Sequence, residues 1–243
     1  MSTDFYFTKE NTFCISLDSR SDRWVLMENM FRFFGLDVCR WSASTFSADI
    51  FADYLSAPQR GCSQSHINIW RHIIKHKLDY AFIMEDDARL DYNWKEKLSA
   101  FSSSTSVDDI LHNNNNNNNN HNRENTTTTT TKQFDILLLN ASEPISPPHQ
   151  WAKQEEQYLT GGYILSFEGA VWLLSNFSGC FYSADWMTSR LLTNGRGYSY
   201  FPWLIIQEGK DSTIGNQCEQ DHAKVVRCLG NINYSIENNY WKP

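Results

Sequence analysis

No block of the sequence is rich in lysine or arginine, and the formal net charge is −7. That argues against nucleic acid as the main partner. Cysteines are few: Cys14, Cys39, Cys62, Cys180, Cys218 and Cys228 are scattered through 243 residues without a Cys-x-x-Cys pair. In a chain that shows no secretion signal they read as free thiols rather than a disulfide framework. The chain does not open on a basic segment followed by a long apolar stretch, and no apolar run is long enough to span a bilayer. The expectation is a cytoplasmic protein with no membrane span. A glycine-rich phosphate loop ending in Lys-Ser/Thr is also missing, and Gly161-Gly162 alone does not make one. Within a segment of about 103–132, apolar side chains vanish from 112 onward, where residues 113–120 are all Asn and 126–131 all Thr. Such a tract has nothing to bury against its ordering entropy. It reads as a surface insertion within a single domain covering residues 1–243.

What is present is a globular composition, 41% hydrophobic and 14% aromatic with nine Trp. Apolar runs alternate with helical periodicity. Thr12 to Leu17 reads as a strand, 21–34 as a helix capped by Ser21 or Asp22, and Leu36 to Trp41 as a second strand. A helix is expected over 61–77, because Ile67, Trp70, Ile74 and Leu78 share one face at spacings of three or four. Tyr80 to Met84 is an apolar strand, and so are Phe134 to Leu139 and Tyr163 to Ser166. A helix follows from Glu168 to about Ser175. This β-α-β-α order predicts an α/β fold with a mostly parallel central sheet and helices on both faces.

The stretch "FIMEDDARL" (82–90) carries the most chemistry. Packing does not require Glu85, Asp86 and Asp87 at the end of a buried strand, since three like charges repel and resist dehydration. They become favourable together around a cation. The competing reading is an exposed acidic turn. In a mostly parallel sheet, ligands bind beyond the carboxyl ends of the strands, where these acids stand. A phosphatase-type Asp nucleophile fits poorly, because Asp87 is followed by Ala88-Arg89. Oxygen donors suit Mg2+ or Mn2+ rather than zinc, and a divalent ion held against ligand phosphates remains.

Several blocks in order resemble glycosyltransferase family 25, the lipooligosaccharide and procollagen galactosyltransferase type. They are "CISLDSRSDRW" (14–24), "GCSQSHINIWRHII" (61–74), "AFIMEDDARL" (81–90), "FDILLLN" (134–140), "GGYILSFEGAVWLL" (161–174) and "ADWMTSRL" (184–191), closed by Gln207 and Ser212-Thr213-Ile214. The Asn/Thr tract, Ser183 and Gly162 depart from the family pattern. The resemblance implies a GT-A-like fold, a UDP-sugar donor, Mn2+ or Mg2+, and inversion at the anomeric carbon. Galactose is the first donor expected, then glucose or N-acetylglucosamine. The acceptor is expected to be a hydroxyl of a collagen-like protein, such as hydroxylysine, or of a glycan. A catalytically inactive relative that binds a sugar nucleotide or glycan is the alternative, and the intact acids favour the enzyme.

On that reading Asp87, with Glu85 or Asp86, holds the metal. Asp185 is the candidate base, with helix N-cap as its other reading. Ser65 and His66 are expected to open a helix and so to meet donor phosphate or sugar hydroxyls. Leu17 and Asp18, at the end of the first strand, are placed for the nucleotide base and ribose. Arg20 and Arg23 either approach the nucleotide or lie solvated on the surface. Gln207 and Ser212 are expected on the acceptor side, and His222 as a surface histidine rather than a metal ligand.

Overall fold

The computed structural model describes residues 5–103, 133–207 and 217–243, with the side chains of 102–103 and 217–222 not described. The Asn/Thr tract, Ser212 and the side chain of His222 therefore lie outside the described residues.

The first half builds a compact parallel unit. β1 (Thr12–Ser16) leads into α1 (Ser21–Phe34), β2 (Cys39–Ser42), α2 (Ala57–His76) and β3 (Tyr80–Glu85). Strand β1 pairs in parallel with β2 on one side and β3 on the other. After β3 come β4 (Ala88–Leu90), α3 (Trp94–Ser103), β5 (Ile136–Leu138), β6 (Gln150–Lys153) and β7 (Gly162–Ser166). Then follow α4 (Phe167–Phe177), α5 (Ala184–Asn194), β8 (Gly197–Phe201), β9 (Ile205–Gln207), α6 (Gln217–Gly230) and α7 (Ile236–Asn239). The main sheet has seven strands in the order β2-β1-β3-β7-β5-β8-β6. Strand β7 runs antiparallel to both neighbours and β6 antiparallel to β8. The other five point one way, which makes the sheet mostly parallel as the alternation of elements predicts.

Period-two alternation sorts the strand residues onto two cores. Phe13, Ile15, Ala81, Ile83, Tyr163 and Leu165 face the layer containing α2, α4 and α5. Cys14, Phe82, Met84, Ile164 and Leu137 face α1 and α3. Helices thus cover both faces. Chain order places β2 and β3 on opposite sides of β1, with α1 and α2 on opposite faces. The crevice between those helices opens at the carboxyl ends of β1 and β3, where the strand order switches.

Local chemistry moves several element boundaries. Helix α1 begins at Ser21, but its N-cap is Arg20, so neither Ser21 nor Asp22 caps it. Gly35, left-handed at φ 62°, ends the helix and delays the second strand to Cys39, while Leu36 and Val38 pack below the sheet without joining it. Helix α2 starts four residues before the expected Gly61. Ser56 is its N-cap, Pro58 lies in its first turn, and Gln59 Oε1 accepts the Ser56 backbone N–H at 2.9 Å. Ser183, rather than Asp185, is the N-cap of α5.

Candidate active site

A cleft of about 340 Å³ lies at the carboxyl edge of β1 and β3. Ile15, Ser16 and Leu17 form its floor, α1 supplies Arg20 and Arg23, α2 supplies Gly61, Cys62 and Ser65, and Glu85, Asp86 and Asp87 close one side. The parallel register sets Ile15 opposite Glu85, so the end of β1 and the three acids share one edge. Gly61 is required at the wall, since a Cβ there would lie 2.5 Å from the Ser44 carbonyl oxygen.

The acids have three different environments. Glu85 ends β3 and is held from several directions. Thr160 Oγ1–H donates to its Oε1 at 2.6 Å, and His66 Nε2 lies 3.3 Å from the same oxygen. His66 is fully buried, with Nδ1 2.9 Å from the Tyr163 hydroxyl, which accepts Trp70 Nε1–H at 2.9 Å. A chain of donors therefore runs Trp70, Tyr163, His66, Glu85, and the tautomer consistent with it carries the proton on His66 Nε2. Burial raises Glu85, but hydrogen bonds from His66 and Thr160 and the charge of Arg23 outweigh it and hold the carboxyl below its ordinary range. Asp86 pairs with Arg23 Nη1 at 2.9 Å, both side chains largely covered. Asp87 is pushed up to about 7, first by burial, then by the charge of Glu85. Gln207 Nε2 donates to Asp87 Oδ1 at 3.1 Å and to Glu85 Oε2 at 3.4 Å. The antiparallel pair β4–β9 puts it there, by setting Gln207 opposite Ala88. Gly161 leaves room for this side chain, because a Cβ would meet it at 2.4 Å.

Seven of the expected residues thus line one cleft: Leu17, Arg20, Arg23, Ser65, Glu85, Asp86 and Asp87. His66 and Gln207 reach it through the acids. The expectation that Ser65 and His66 open a helix is corrected. Because α2 starts at Ala57, both lie in its middle, and their backbone N–H groups belong to the helix. Ser65 Oγ donates to Gly61 O and accepts from Ser44 N–H, fastening the cleft wall to the loop after β2. Asp18 stands just outside the lining, where its carboxylate accepts the Ser42 hydroxyl at 2.7 Å. Arg20 makes a two-nitrogen pair with Asp22.

Asp185 is half-buried in the first turn of α5 and accepts the Trp186 N–H at 2.7 Å. The start of α5 is tied to α2, since Ala184 N–H donates to Ser63 Oγ. Burial raises the neighbouring Cys62 thiol well up, and the charges of Glu85, Asp185 and Asp87 add to it, so Asp185 lies within electrostatic reach of the cleft wall. Two other carboxylates, Asp135 and Glu143, are engaged elsewhere. Asp135 precedes β5, at the opposite edge of the sheet, and pairs with Arg196. Glu143 pairs with Lys224. Thr160, Tyr163 and Trp70 were not singled out in the sequence. Local sequence gave no signal, since Thr160 reaches Glu85 and Tyr163 reaches His66 only through sheet pairing, and Trp70 joins them through the packing of α2 on the sheet.

A helix-covered, mostly parallel sheet with carboxylates over a cleft at its switch point is a GT-A-like, Rossmann-type architecture. A family model, glycosyltransferase family 25 (LPS biosynthesis protein), matches residues 9–188, well over half of the chain. The chain belongs to that family, and the family points to glycosyltransferase activity. No curated protein matches it. Among the described residues no helix is long and apolar enough to cross a membrane.

Proposed function

We propose that the protein transfers a hexose from a UDP-sugar to a hydroxyl acceptor with inversion, assisted by Mn2+ or Mg2+. The observation that carries the reading is the pair Glu85 and Asp87, half-buried at the rim of the cleft and bridged by Gln207. Two adjacent carboxylates, one with its affinity for a proton raised toward neutrality, make a donor set that a hard divalent cation would relieve. Oxygen donors fit Mn2+ or Mg2+, and Glu85 and Asp87 would hold the ion. Asp86 is less available, because Arg23 already neutralises it. When bound, such an ion supplies charge stabilisation for a diphosphate leaving group.

The chain's own residues account for the other requirements. Leu17 and Ile15 offer an apolar floor for a base, and Arg23 and Arg20 bring positive charge to the side where a diphosphate would lie. The donor chain through His66 keeps Glu85 ionised and fixed. A single displacement needs one base to take the acceptor proton as the bond forms. Asp185 is the candidate, since its carboxylate is held only by a neighbouring backbone N–H among the described contacts. Galactose is the first donor to test, with glucose and N-acetylglucosamine next, against collagen-type hydroxylysine and glycan acceptors.

Calorimetric titration with UDP in the presence of Mn2+ and then of EDTA tests the reading, followed by UDP release over a panel of sugar nucleotides. Binding is expected only with the metal. Equal UDP affinity in EDTA would refute the role of the acids.

A further inference from the structure

Cys62, His66 and Glu85 form a second donor group that the transferase reading leaves unused as a set. Cys62 and His66 are four residues apart on α2 and so share one helix face. Strand β3 brings Glu85 against them. The thiol sulfur, an imidazole nitrogen and a carboxylate oxygen all lie within 4.8 Å of one another. We propose that these three side chains bind a thiophilic divalent cation of the zinc class.

The geometry fits a tetrahedral ion. At Zn–N and Zn–O distances of about 2.0–2.1 Å, the edge between two donors is about 3.4 Å. His66 Nε2 and Glu85 Oε1 stand 3.3 Å apart, already at that spacing. The sulfur, within 4.8 Å of both, has to approach by up to about 1.2 Å to reach the roughly 3.6 Å edge of the third corner. Cys62 is a free thiol on the cleft wall, and Glu85 also lines the cleft, so the fourth position opens toward it. The outer contacts that such sites use are in place. Tyr163 Oη, 2.9 Å from His66 Nδ1, orients the ring, and Thr160 holds Glu85 at 2.6 Å. On binding, the imidazole proton shifts from Nε2 to Nδ1, so the Tyr163–His66 bond reverses: Nδ1–H donates to Tyr163 Oη, and the tyrosine O–H rotates away from the ring. The thiol proton leaves to solvent, and metal–sulfur, metal–nitrogen and metal–oxygen bonds form. The soft sulfur donor separates this group from the oxygen-only pair of Glu85 and Asp87. Glu85 belongs to both, so a zinc-class ion here excludes a hard cation there; that consequence alone rests on the role proposed for Glu85 above.

The test is direct binding by the full chain and needs no transfer or UDP. Reduced, metal-free protein is titrated with Co2+, then with Zn2+ in competition. The expected result is a thiolate-to-cobalt charge-transfer band at one equivalent, with the intense visible bands of a four-coordinate ion, bleached by Zn2+. Cys62→Ser should abolish the charge-transfer band and weaken zinc by at least the roughly 10–100-fold that the loss of an outer-shell partner costs. Asp87→Asn should keep the band, because Asp87 is not in the set. Should Cys62→Ser fold poorly, Zn2+ protection of Cys62 from alkylation in the unmodified protein, read by peptide mass spectrometry, gives the same answer. Absence of the band, a band that survives Cys62→Ser, or unprotected Cys62 overturns the proposal.

Discussion

In metal-free protein, Asp87→Asn is expected to raise stability, and the gain should grow with pH. The fold moves this carboxyl from its ordinary 3.8 to about 7, chiefly by burial and then by the charge of Glu85. A raised carboxyl favours the protonated form in the folded state. Its contribution is fully present below pH 3.8 and is lost as pH rises through about 7, changing little above that. The full shift corresponds to about 4 kcal/mol at roughly 1.4 kcal/mol per unit. Asp87 is half-buried at a cleft that admits water, so about half of that is the realistic figure. Between pH 5 and pH 8 the unmodified protein should therefore lose about 1–2 kcal/mol through this group. An Asn resembles the protonated acid and keeps an oxygen for Gln207 Nε2–H, so Asp87→Asn should lose none by this route. Urea unfolding in EDTA at the two pH values reads the difference. The gap between the proteins should widen by about 1–2 kcal/mol toward pH 8, while Asp87→Asn loses metal-dependent UDP binding. That combination is the exchange of stability for function expected at a binding site. A gap that stays constant or narrows with pH would show that Asp87 is not under charge stress and that the argument for a cation between the acids fails.

Asp185→Asn should fold normally and bind UDP normally, because the amide oxygen can still accept the Trp186 N–H, yet lose transfer by about 10²-fold or more; near-normal transfer would place the base elsewhere. Lys97 is buried against Asp91 at 2.7 Å and also donates to Pro202 O and the Tyr234 hydroxyl. Lys97→Met leaves a fully buried carboxylate unpaired and should cost about 3–5 kcal/mol by chemical denaturation, much of it recovered in the double variant with Asp91→Asn. Recovery of none of it would mean that the lysine stem, not the charge pair, holds the C-terminal segment to the sheet. Deleting residues 112–131, a stretch without apolar side chains, should leave the melting temperature and UDP-sugar hydrolysis nearly unchanged; an unfolded product would show that the tract takes part in the fold.

The sequence by itself determined what depends on near neighbours in the chain. Continuous apolar runs marked β1, β3, β5 and β7, because a strand buried on both faces needs apolar residues at every position. Glu85, Asp86 and Asp87 stood out because adjacent charges at the end of such a run have no packing reason. Short edge elements such as β4, β6 and β9 escaped notice, as three or four residues carry too little periodicity to register. The start of α2 was misplaced although Ser56, Pro58 and Gln59 signal a helix start, because the apolar stripe begins only at Ile67. Tertiary structure alone decided which groups meet. Strand β7 runs antiparallel beside β3, and that pairing, not any local pattern, brings Thr160 and Tyr163 to Glu85 and His66. The β4–β9 ladder brings Gln207 across 120 positions of sequence to Asp87. The ionisation of the acids followed from the same assembly. Burial and the charge of Glu85 act on Asp87 only once the sheet edge, α1 and α2 have closed around them, since water screens such charges in an open chain.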